Sequence, residues 1–96
     1  MKINLKQVLV NLEGKELKNH DGKPFTVGEG ISSVLISAEI GGKMKMFVLA
    51  QNCYKDETID VDKADLELIK KAIEATKIYT VLISGQLLSI LSEIKE

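Results

Sequence analysis

Few residues of this chain have side chains suited to chemistry, and their spacing argues against most of it. His20 is the only histidine and Cys53 the only cysteine. A zinc site needs several Cys or His ligands at short spacing, and a lone imidazole with a distant thiol supplies none. Cys53 lies in an apolar stretch with no histidine beside it to lower its pKa, and reads as a small buried hydrophobe. His20 lies in a turn and reads as solvated.

Asp56, Glu57, Asp60, Asp62 and Asp65 form an acidic cluster. A calcium loop of the EF-hand type needs acids at alternating positions, a central glycine and a closing glutamate. These acids miss that spacing and no glycine lies among them, so they read as a solvated loop and a helix cap. Gly28 and Gly30 begin a G-x-G pattern, but no third glycine and no Lys-Ser/Thr pair follows. A helix start there favours an anion, which Glu29 opposes. Ser84 has no G-x-S-x-G elbow around it. The sequence therefore implies no catalytic residue, no metal ligand and no cofactor.

The elements that carry these residues follow from periodicity. Val8, Val10 and Leu12 alternate with Leu9 and Asn11, the period of a strand. A helix over 3–12 competes, but β-branched Val8 and Val10 and the turn at Glu13-Gly14-Lys15 favour a hairpin returning through Glu16-Leu17-Lys18. Asp21-Gly22 is a second turn, and Pro24 stiffens the next step. Thr26-Val-Gly-Glu29 fits a capping box. The helix it opens carries Val27, Ile31, Val34, Leu35 and Ala38 on one face and is expected to end at Gly41-Gly42. Phe25 has no staple partner, because Gly30 stands where one would be, so it either anchors the hairpin to the helices or meets a partner.

Residues 43–54 are apolar nearly all round and are expected to form a second helix; a strand over 44–50, paired through Gly41-Gly42 with Val34–Ile40, is the competitor. Ile59-Asp-Val61 is a brief extended segment able to join the N-terminal hairpin. Asp62 is the expected cap of a helix over 63–77, and a bend at 77–80 precedes a last helix within 78–94. Gly85, in that helix's interior, is expected to mark a close helix crossing, with Gln86 hydrogen-bonding across it or across a subunit interface. No internal repeat or low-complexity run stands out. The fold class is α+β: one domain over 1–96, with a β-hairpin and turn in 1–25 packed on a bundle of about four helices in 26–96.

Composition limits the partners. The chain has 96 residues and a formal net charge of −1, and a domain of this size buries roughly 60–65% of its unfolded surface. There is no basic field to gather nucleic acid or to hold an anionic membrane. All thirteen basic residues are lysine. Arginine, whose fork reads guanine edges and phosphates, is missing, though an AT-rich genome would have the same effect. A lone cysteine fits a reducing cytoplasm, and the N-terminal residues lack the apolar core of a signal sequence.

The last helix has aliphatic residues on both faces. One face can be buried internally. The other, with Leu87, Ile90, Leu91 and Ile94, would be exposed unless a partner covers it or the helix is wrapped on all sides. Those four residues, with Phe25, are the expected interface.

A resemblance adds a setting. The order of Leu12-Glu-Gly-Lys, Asp21-Gly-Lys-Pro, Thr26-Val-Gly-Glu, Ala64-Asp-Leu-Glu-Leu-Ile-Lys-Lys and Ser84-Gly-Gln-Leu-Leu-Ser-Ile-Leu resembles small uncharacterised proteins encoded by bacteriophages and prophages. It spans nearly the whole chain, but its motifs are turns, caps and packing signals, and it carries no site residues. It implies a phage product in the cytoplasm of a bacterial host, working by binding as an assembly factor or an inhibitor of host machinery. The expected function is a non-enzymatic protein–protein interaction module that self-associates. The alternative is a small nucleic-acid-binding regulator, with Lys43 and Lys45 opening a recognition helix after Gly41-Gly42. An enzyme ranks third. No small-molecule substrate and no membrane contact is implied.

Overall fold

The computed structural model describes residues 2–38 and 42–94. Its elements run β1 (Lys2–Asn4), α1 (Val27–Ser37), α2 (Lys43–Lys55), β2 (Thr58–Asp60), α3 (Lys63–Ala75) and α4 (Val81–Ser92). The α+β class and the four helices are those expected from sequence.

Most of the β component lies in residues 7–27, where it forms a closed triangle. Leu17 N–H donates to Leu9 O, Phe25 N–H to Leu17 O, and Leu9 N–H back to Phe25 O, at 2.8–2.9 Å. An outer ring repeats the pattern: Asn11 N–H to Lys15 O, Asn19 N–H to Lys23 O and Val27 N–H to Gln7 O, each 2.8 Å. The bridge pairs are Val10 with Glu16, Lys18 with Pro24 and Thr26 with Val8, all antiparallel. Each relation moves to the next by eight residues, and the chain enters and leaves at the third corner. Leu9, Leu17 and Phe25 turn their side chains toward the core.

The sequence carries this as a repeat, Asn11-Leu-Glu-Gly-Lys15 followed by Asn19-His-Asp-Gly-Lys23, which corrects the expectation of no internal repeat. Each unit is a tight turn closed by a glycine at positive φ, 85° at Gly14 and 76° at Gly22, the conformation that glycine adopts without steric cost. Each asparagine fixes its turn in the same way. Asn11 Oδ1 accepts from the N–H groups of Glu13 and Lys15, and Asn19 Oδ1 from those of Asp21 and Lys23.

β1 pairs antiparallel with β2, Ile3 opposite Ile59. The extended segment at 59–61 thus joins the β unit through residues 2–4, ahead of the 8–18 hairpin.

Thr26 caps α1 by accepting the Glu29 N–H at 3.2 Å, half of the expected capping box. The other half is replaced, because Glu29 Oε1 accepts from Asn19 Nδ2 at 3.0 Å and ties the helix start to the second turn. α1 ends at Ser37, with Ala38 already extended, earlier than expected. Gly41 lies outside the described residues, and Gly42 is the N-cap of α2. Residues 43–55 are helix, so the strand alternative is excluded there. Asp62 caps α3 through the Asp65 N–H at 2.7 Å, as its position implied. Between α3 and α4, the Ile78 N–H turns back to Thr76 Oγ1, so the bend falls where the sequence placed it.

The core joins Ile3, Leu5 and Leu9 from the β unit to Val27, Ile31, Val34 and Leu35 of α1, Leu49 and Cys53 of α2, Ile69 and Ile73 of α3, and Leu87 and Leu91 of α4.

Candidate functional site

Leu87 and Leu91, expected at an interface, have 0% of their surface exposed. Ile90 and Ile94 are half-buried against the same core. α4 packs against α3, α1 and the triangle, so the face that carries Leu87 and Leu91 is turned inward. Phe25 is also an anchor. It is half-buried, in edge contact with the Tyr79 ring at 5.7 Å, and its Cε1 lies close to Gly30.

Gly85 does not mark a crossing, since nothing lies within 4 Å of where its Cβ would be. The close approach is at Gly28, where an added Cβ would overlap the Cys53 carbonyl oxygen and press on Leu5. Gln86 bonds within the chain. Its Oε1 accepts from the Val10 N–H at 2.7 Å and its Nε2 donates to Val10 O at 2.6 Å, so one carboxamide locks α4 onto the triangle. Gln86→Glu is expected to lower stability by about 1–3 kcal/mol at neutral pH, because a carboxylate cannot donate to the Val10 carbonyl. Its folded-state pKa would stand above the unfolded value. The stability should therefore be recovered below the unfolded pKa and lost as pH rises through the folded one, which urea titrations at acid and neutral pH will show.

The other polar candidates are dispersed. Cys53 is buried, and burial, with a smaller push from Asp56, raises its thiol to about 12, which keeps it protonated. Asp65 pairs with Lys45 at 2.6 Å, Asp62 is spent on its cap, and Glu57 pairs with Lys6 at 3.0 Å. Among the described residues no three of the metal-ligating types come together, and no helix is long and apolar enough to cross a membrane.

Two surfaces stand out among the described residues. The first is the outer side of α2, where Met44 is 76% exposed, Phe47 50%, Val48 44% and Tyr54 72%. Their three- and four-residue steps place them on one face. Ile36 of α1, 63% exposed, extends the patch across an apolar hollow of about 210 Å3 between α1 and α2, bordered by Ser32, Ala50 and Gln51. The signal was in the sequence: Met46, Leu49, Ala50 and Cys53 fill the inner face, so the remaining apolar residues need another neighbour. The helix with an uncovered apolar face is α2 rather than α4.

The second surface is a cleft of about 330 Å3 where the second turn meets α1 and the α3–α4 bend, lined by Lys18, Asn19, His20, Glu29, Ser33 and Tyr79. Glu29 Oε2 is buried and meets no hydrogen-bond donor among the described residues.

Fold and surfaces together define a small α+β domain with one strongly apolar helix face and one cleft of mixed polar and aromatic lining. Comparison with protein-family models, with curated proteins and with solved structures finds no match to this chain.

Proposed function

We propose that this protein is a protein–protein interaction module whose contact surface is the outer face of α2. The observation that carries the reading is the stripe of Met44, Phe47, Val48 and Tyr54, continued by Ile36, which leaves large apolar side chains in water on a domain with a well-filled core. Patches of this kind are partner surfaces in soluble proteins, and aromatic residues and methionine are favoured at the centres of interfaces. Charge selects the partner. α2 carries Lys43, Lys45 and Lys55 and no acid, with Lys43 and Lys55 at its two ends. Two copies packed through α2 would bring lysines together in either direction, whereas an amphipathic helix with acidic flanks complements the stripe. The phage resemblance supplies the setting, a bacterial cell in which such a product binds a host or phage protein.

The nucleic-acid alternative draws less support from the same helix. Its outward face is apolar rather than rich in donors, and Lys45, which would open the recognition helix, is held by Asp65.

The test is capture from a bacterial host lysate with wild type and two exposed-site variants. Phe47→Glu should abolish a capture that Val81→Glu, on α4, retains, with both variants folded. Equal capture by Phe47→Glu, or loss only in Val81→Glu, would remove the proposal. Sedimentation at micromolar concentration decides the self-association arm, with a monomer expected.

A further inference from the structure

The triangle has three equivalent corners: one is filled on both its N–H and its C=O, and one on its C=O alone. At Val10, Lys18 and Thr26 the bridge geometry turns the backbone N–H and C=O away from the paired strand. The Val10 pair is taken by the Gln86 carboxamide. Thr26 O accepts the Gly30 N–H in the first turn of α1. Lys18, the third equivalent, is exposed and has no hydrogen-bond partner among the described residues. Lys18 also borders the cleft into which the side chains of His20, Ser33 and Tyr79 open. Glu29, which also lines the cleft, is fixed by Asn19 through Oε1 while Oε2 stays buried without a donor. Buried carboxylate oxygens are rarely left in this state.

We infer that this cleft is a peptide-binding site, in which a partner segment sets a glutamine or asparagine side chain against the Lys18 backbone, as Gln86 does at Val10, and gives a further N–H to Glu29 Oε2. The occupant follows from the repeat. A carboxamide carries a donor and an acceptor at the spacing this backbone presents, and the chain already uses one at an equivalent position. A carboxylate lacks the donor for Lys18 O, and an aliphatic side chain lacks both groups. The cleft lies apart from α2, so this inference stands or falls independently of the proposed contact surface.

The experiment is a nuclear magnetic resonance titration of the isotope-labelled full chain with acetyl-glutamine methylamide, and with acetyl-leucine methylamide as comparison. Saturable shifts of the Lys18 amide and the Tyr79 ring are expected with the glutamine compound alone. Glu29→Gln places an N–H donor where the ligand must donate and should weaken that binding at least threefold. Its unfolding midpoint verifies that it remains folded. The inference is overturned if the Lys18 amide fails to move saturably, if the leucine compound moves it equally, or if Glu29→Gln binds as wild type does.

Discussion

Leu87→Ala is expected to lower the unfolding free energy by about 2–5 kcal/mol, the range for deleting a fully buried leucine side chain and leaving its cavity. Leu87 lies where α4 meets α1, with its two methyl groups and Phe25 Cε1 packed together against the space that a side chain on Gly30 would fill. Urea unfolding monitored by far-ultraviolet circular dichroism measures it directly. Had the α4 leucines formed a contact between molecules, the same substitution would leave monomer stability almost unchanged. A loss under about 1 kcal/mol, well below the range for a buried leucine, would therefore restore the interface reading of α4.

The second large effect is expected at Gly28. Alanine is the better helix former by about 1 kcal/mol, so an unobstructed Gly28→Ala would stabilise α1. Here the added Cβ would run into the Cys53 carbonyl oxygen, with Leu5 Cβ at 3.0 Å and Leu5 O at 3.1 Å. Two of the three neighbours are backbone atoms, and the Gly28 N–H is itself bonded to Leu5 O at 3.0 Å, so neither side can give way as a long side chain would. The clash reverses the sign, to a net loss of about 1–3 kcal/mol or more, with unfolding at lower urea. Gly85 provides the contrast within the same chain, because open space around it leaves the helix-propensity gain unopposed.

The α+β class, the four helices, the Asp62 and Thr26 caps and the bend before α4 could be read from sequence because each is set by residues near one another in the chain. What could not be read depends on which faces meet. α2 and α4 are both apolar around much of their circumference, and periodicity alone does not say which is wrapped. The answer lies in Gln86, which binds Val10 from far along the chain and draws α4 inward, leaving Phe47 and Tyr54 of α2 outside. The glycines show the same limit. Gly85 looked costly in a helix interior yet faces open space, while Gly28, first weighed as part of a phosphate loop, is needed for the approach of Cys53. The Asn-x-x-Gly-Lys repeat was visible in the letters of the sequence. The closure of its two turns into a triangle rests on pairing Val8 with Thr26, which no local signal announces.

Under the proposed function, the outer face of α2 is the surface that meets a partner. Hydroxyl-radical footprinting of the protein, free and bound to the captured partner, tests it most directly, because methionine and aromatic side chains are readily oxidised when exposed. Met44, Phe47 and Tyr54 are expected to label strongly in the free protein and to be protected, all three, in the complex. Undiminished labelling of these residues in the complex, with protection instead at Val81 and its neighbours on α4, would contradict it.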